Sequence, residues 1–138
     1  MIRLLILGAL SLSSLDCYPL AVFIALRHMG YPVTYQQVID VTPKGPWGYY
    51  ADPSIIDPLT GGRVQVEGFY SDEISFVFQE LQNNTPPILC YEDGIYHCVV
   101  VSGIDRGGLW VVDQTTERRQ EGGGWWVVFN MQNQKQSP

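Results

Sequence analysis

Between residues 88 and 129 the chain carries four short apolar runs separated by turn-forming residues. The runs are Ile88 to Tyr91, His97 to Ile104, Leu109 to Val112 and Trp125 to Phe129. They are rich in β-branched and aromatic side chains, which fit a pleated, half-buried surface. Glu92-Asp93-Gly94 and Asp105-Arg106-Gly107-Gly108 separate the first three and have hairpin-turn composition. Strands joined by turns this short can only run antiparallel, because a parallel pair needs a crossover of about a dozen residues or more. The spacing therefore predicts an antiparallel meander in the second half of the chain.

The first half has a different period. Leu20, Phe23, Ile24, Ala25 and Leu26 recur at helical spacing between Pro19 and Met29, and Gly30 then ends the run. Pro19 suits the first turn of a helix, where its missing N–H costs nothing. Thr34 predicts the cap of a short second helix through Gln36, Gln37, Val38 and Ile39. Residues 43–68 hold Pro43, Gly45, Pro46, Gly48, Pro53, Pro58, Gly61 and Gly62, and read as an ordered surface loop. Ser71 opens a capping-box-like start for a helix over 72–83, which Asn83-Asn84-Thr85-Pro86-Pro87 stops. Helices first and strands later predict the α+β class, with one domain over residues 1–130 and a polar tail over 131–138.

A chain of 138 residues with 46% hydrophobic and 16% charged residues can build one core without disulfide stapling. Its net charge of −6 makes nucleic acid a poor partner, since phosphate binding needs a basic surface. Three cysteines are an odd number, so at least one stays outside any intrachain disulfide. With no Cys-x-x-Cys pair and only His28 and His97 as imidazoles, no metal site is expected. Arg3 followed by Leu4-Leu5-Ile6-Leu7-Gly8-Ala9-Leu10 has the charged start and apolar core of a secretory signal, yet is short for a bilayer span of about 20 residues. Two readings stay open: a signal over residues 1–14 with secretion, or a retained buried element with a cytoplasmic location. The second is favoured, and membrane association is expected only under the first.

Cys17, His97 and Asp113 carry the chemistry. Cys17 stands at the mouth of the first helix, whose partial positive charge favours thiolate. His97 opens the long strand and Asp113 closes the next. With the intervening turn centred near residue 106, His97 falls opposite about residue 115, and Asp113 is its diagonal neighbour. Thiol, imidazole and carboxylate are the parts of a nucleophile, its base and the base's orienter. Trp47, Tyr49 and Tyr50 could wall a cleft, although stapling their loop to the core is the commoner role. A three-residue turn over 93–95 sets Cys90 opposite Cys98, whereas a four-residue turn sets it opposite His97. Two buried reduced thiols are the expectation. His28 reads as a helix C-terminal cation, and Glu92, Asp93, Arg118 and Arg119 as solvated surface.

Asp16-Cys17 followed by Leu20, Ala21, Ala25, Leu26, Gly30 and Val33 resembles the nucleophile helix of the bacteriocin-processing, double-glycine-leader peptidases. Pro86-Pro87-Ile88 leading to His97-Cys98-Val99-Val100-Val101-Ser102-Gly103 looks like their histidine strand, and Leu109-Trp110-Val111-Val112-Asp113-Gln114 is similar to their aspartate strand. The resemblance implies a papain-like fold, a peptide or protein substrate and no cofactor. It also implies Cys17 as nucleophile, His97 as general base and acid, and Asp113 as orienter. Two positions depart from the family pattern. Tyr18 stands where the family has glycine, and Ser11 stands where it has an oxyanion-donating glutamine. Ser11 is then the oxyanion candidate, and Tyr18, Trp47 and Tyr49 are the candidate cleft. A catalytically degenerate module that binds a peptide or protein is the alternative reading.

Overall fold

The computed structural model describes residues 2–6, 16–46, 48–93, 95–113, 117–120 and 123–131. Strand β1 (Ile2–Arg3) precedes helix α1 (Cys17–His28), which starts two residues before Pro19. Pro19 therefore occupies the first turn, as its chemistry requires. Eight of the twelve residues of α1 are buried, so it is a core helix with little polar face. Helix α2 (Tyr35–Val41) carries a full capping box, with the Thr34 hydroxyl accepting from Gln37 N–H and the Gln37 side chain accepting from Thr34 N–H.

Residues 43–68 are not a plain loop. They contain strands β2 (Lys44–Gly45) and β3 (Gly48–Tyr49), a 3-10 turn over Pro53–Ile55 capped by Asp52, helix α3 (Ile56–Thr60), and the start of strand β4 (Val64–Ser71). Gly61 ends α3 at φ 62°, the left-handed cap that glycine allows. The alternation of Val64 and Val66 with Gln65 and Glu67 is a strand pattern that the surrounding Gly and Pro obscured. Helix α4 (Phe76–Gln82) is shorter than the expected 72–83. Ser71 is the last residue of β4, and its hydroxyl accepts from Glu73 N–H in a turn instead of capping a helix.

Strands β5 (Ile88–Asp93), β6 (Ile95–Asp105) and β7 (Gly108–Val112) form the expected hairpins. Strand β8 (Glu117–Gln120) then pairs with β7, so Arg118 and Arg119 belong to the sheet's last strand. Strand β9 (Gly124–Met131) returns to lie between β4 and β5, and its last residue, Met131, pairs with Val64. The sheet order is β4-β9-β5-β6-β7-β8 with every pair antiparallel, so β5 to β8 form a continuous meander and β9, the fourth expected run, pairs at its opposite end beside β5. Strand β1 pairs with β6 at Ile2↔Ile104, and Leu4 N–H donates to Ser102 O at 2.6 Å. The end of the tail, residues 132–138, and residues 7–15 of the N-terminal segment lie outside the described residues.

Both faces of the sheet are covered. On one, α1 and the 3-10/α3 segment bury Ile88, Cys90, Cys98, Val100, Val112, Val127 and Phe129. On the other, Val77 and Leu81 of α4 pack with Leu89, Tyr91, Val99, Val101, Val111 and Trp126. The β5–β6 register sets Cys90 opposite Cys98, and the two form a disulfide. The expectation of two reduced thiols is thus corrected. One residue of turn length decides whether cross-strand neighbours are two sulfurs or a sulfur and an imidazole.

Candidate active site

Cys17 is the first residue of α1 and packs, half-buried, against the core cluster that contains Cys90 and Cys98. Burial pushes its thiol above the ordinary value, and the neighbouring Asp16 carboxylate adds to that. Backbone hydrogen bonds from Cys98, Tyr18 and Cys17 itself pull the other way. Asp16 does not cap the helix with its side chain; it accepts from the Tyr35 hydroxyl at 2.9 Å.

The hydrogen bond from Cys98 shows where the sulfur sits. In an antiparallel ladder, non-hydrogen-bonded pairs approach to about 4.5 Å between Cα atoms, against about 5.5 Å for hydrogen-bonded ones. The Cys90–Cys98 Cα separation is 4.0 Å, so the Cys98 N–H points away from β5. The next odd-numbered rungs agree, because Val101 N–H donates to Pro87 O on the β5 side at 2.9 Å. On its other side, among the described residues, β6 pairs with β7 from Val100↔Val112 onward. The Cys17 sulfur therefore docks on the main-chain edge of β6 that faces away from β5, beyond the last described β6–β7 rung. An atom at a sheet edge can be approached from either face, and His97 immediately precedes Cys98.

His97 lies on the sheet face of Tyr91, its partner across the β5–β6 rung. The two rings meet edge to face with centroids 5.8 Å apart and planes at 86°. His97 Nε2 and Asp113 Oδ2 are 3.4 Å apart, each side chain 22% exposed. Asp113 follows β7 directly, so the diagonal His–Asp relation expected from turn placement is present. A β-bulge at Ser102 adjusts the register between the turn and the site. With Nε2 facing the carboxylate, Nδ1 is the nitrogen left for the thiol. No sequence motif marks Tyr91; the period-2 alternation places it on the His97 face once Cys90 is set opposite Cys98.

The remaining candidates fall out differently. Tyr18 is 1% exposed and faces the core, not a cleft, so its place in the candidate cleft is corrected. As the second residue of a helix that is buried nearly all round, it has no solvent face to occupy. Its hydroxyl donates to Asp52 O at 2.9 Å, tying the segment after β3 to the start of α1. Tyr49 is half-buried beneath the Lys44 ammonium, 5.4 Å from the ring centroid, and β3 packs on α1. Tyr50 is exposed. Ser11 and Trp47 lie outside the described residues. His28 Nε2 pairs with Asn84 Oδ1 at 2.8 Å. Among the described residues no group of three or more His, Cys, Asp or Glu could hold a metal, and no helix is long and apolar enough to cross a membrane.

Two solved structures share this arrangement of helices and sheet. One is a double glycine motif protease from an AMS/PCAT transporter in complex with the leader peptide; it aligns at TM-score 0.68 and 14% identity over 94% of both chains. The other is the peptidase domain of Streptococcus ComA, a bi-functional ABC transporter of a quorum sensing pathway. It aligns at TM-score 0.67 and 16% identity over 96% of this chain and all of that one. The fold is that of the double-glycine peptidase domains. No family model matches the chain, and no curated protein is similar to it in sequence. The α+β, papain-like class read from the resemblance is therefore the observed one, and the double-glycine peptidase fold accounts for the α1-against-β6 geometry.

Within that fold Tyr18 acts as an anchor. Tyr18→Phe removes one hydroxyl from a main-chain acceptor and is expected to cost about 1 kcal/mol of stability, or about 4 °C in Tm. Thermal unfolding followed by circular dichroism checks this. An unchanged Tm would show that the Asp52 bond contributes nothing net.

Proposed function

We propose that the protein is a cysteine peptidase that cleaves a peptide bond through an acyl-enzyme on Cys17. The observation that carries this reading is the docking of the Cys17 sulfur on the edge of β6 that faces away from β5, one residue from the His97–Asp113 pair. Burial holds the thiol neutral, so attack needs a base, and His97 Nδ1 takes the proton as the sulfur bonds to the substrate carbonyl carbon. The carbonyl oxygen becomes an oxyanion at the N-terminus of α1, where the helix dipole and main-chain N–H groups favour negative charge. Collapse breaks the C–N bond. His97 returns the proton to the leaving amine, then takes one from the water that opens the thioester. Asp113 keeps the imidazole oriented and offsets its charge while it is protonated.

The fold's company supports a peptide as the substrate class. A neighbour of the same fold was solved with a leader peptide and is named for a double glycine motif. An extended peptide with Gly-Gly before the scissile bond is the first substrate to try. Incubation of such a peptide with the protein, read by mass spectrometry, is expected to give two fragments divided after the second glycine.

The neutral thiol and the serine at position 11 favour one second reading: a site of this shape that binds a peptide without cutting it. Saturable binding with an intact peptide at every pH would sink the enzyme and establish the binder.

A further inference from the structure

We propose that the Cys90–Cys98 bridge is a positioning element of the active site, holding at one rung both the main-chain group that docks the Cys17 sulfur and the imidazole beside it. Among the described residues, β5 is flanked by β9 as far as Cys90↔Trp125, and β6 is flanked by β7 from Val100 onward. From Tyr91↔His97 out to Asp93↔Ile95 the two strands, among the described residues, pair only with each other. An isolated two-stranded ribbon is at best marginally stable in water. The bridge sits at its root, on the last rung where β5 still has a second neighbour, and is buried with Cys90 at 1% and Cys98 at 2% exposure.

Both functions of the site hang from that root. The Cys98 N–H, at the bridge itself, meets the Cys17 sulfur, and His97 is on the next rung outward, against Tyr91. Without the bridge the ribbon can fray inward through rung 90↔98, which frees the imidazole and turns the docking N–H away. The bridge uses two of the chain's three cysteines and leaves Cys17 as the thiol. Reduction by a thiol reagent transfers two electrons and two protons to the bridge, giving two cysteine thiols while two reagent thiols become one disulfide. That reduction disables the site, although reductant ordinarily protects a catalytic thiol. The protein accordingly works in an oxidising compartment, where such bridges persist.

The proposal rests on the peptidase reading for its kinetic arm only. The test variant is Cys90→Val/Cys98→Val, which keeps an apolar cross-strand pair without the bridge, with the alanine pair and reduced wild type as second and third forms. Circular dichroism selects the forms that stay folded. In these, kcat on the Gly-Gly peptide is expected to fall about tenfold to a hundredfold with KM little changed, the effect of a small misplacement of catalytic groups. His97 ring signals are expected to shift and lose their nuclear Overhauser contact with Tyr91, while His28, the chain's other histidine, serves as the unaffected control. Iodoacetamide alkylation of Cys17 at fixed pH is expected to slow. Full kcat with an intact His97–Tyr91 contact in a folded, bridge-free form would overturn the proposal. So would titration of three thiols in folded protein prepared without reductant. If wild type cleaves no peptide, the peptidase reading falls, and the imidazole and alkylation readouts still decide the role of the bridge.

Discussion

Cys17→Ala is expected to reduce peptide cleavage about a millionfold, to the level that binding alone supports, while leaving peptide affinity and fold intact. The size follows from the chemistry. In the proposed mechanism the sulfur is the atom that bonds to the carbonyl carbon, and among the described residues no neighbouring side chain is a substitute nucleophile: Asp16 is held by Tyr35, and Cys90 and Cys98 are consumed in their bridge. The effect on stability is small, because Cys17 is only half-buried and its removal leaves a methyl group on the first turn of a helix whose burial rests on Leu20, Val22, Ile24 and Leu26. Fragment yield by mass spectrometry, with binding measured in parallel by fluorescence anisotropy, separates lost chemistry from lost substrate. Turnover in the alanine variant that still depends on His97 would mean that another group attacks.

His97→Ala is expected to be nearly as damaging at neutral pH, again about a millionfold, but with a pH dependence that the first variant lacks. Burial raises the Cys17 thiol above its ordinary value, so without imidazole the sulfur stays protonated and inert at neutral pH. As pH rises through that elevated value the thiolate forms unaided, so part of the lost activity returns on the alkaline side. Asp113→Ala should cost less, about ten-thousandfold, because the thiol and base remain and only orientation and charge compensation go. Asp113→Asn should cost less still, since an amide oxygen can still accept from the ring. A rank order with Asp113→Ala below His97→Ala in activity would reverse the assigned roles.

Much of this site can be read in the chain, and the physical reason is local. The turn at 105–108 is short and Asp105 Oδ1 accepts from Gly107 N–H at 2.8 Å, so the β6–β7 register, and with it the His97–Asp113 diagonal, is fixed by neighbouring residues. Helix α1 is legible for the same reason, since its apolar period and Gly30 are contiguous. What escapes the sequence is non-local or balanced on one residue. Strand β9 inserts between β4 and β5, and nothing near Trp125 or Val66 announces that pairing. The Cys90–Cys98 bridge turns on a single residue of hairpin length. Tyr18 reads as a cleft residue beside the nucleophile only until the helix is seen to be buried nearly all round, which turns the ring inward and its hydroxyl to Asp52.

The alkylation rate of Cys17 by iodoacetamide as a function of pH, in bridged wild type and in His97→Ala, tests the central claim without needing the natural substrate. Cys17 is the one cysteine outside the disulfide, so the label reports a single site. A working Cys17–His97 pair makes wild type react faster than the variant throughout the neutral range, with the two curves converging at alkaline pH as the buried thiol ionises by itself. Superimposable curves would show that His97 does not act on the thiol, and the protein would then be a peptide-binding relative of the peptidases whose fold it shares.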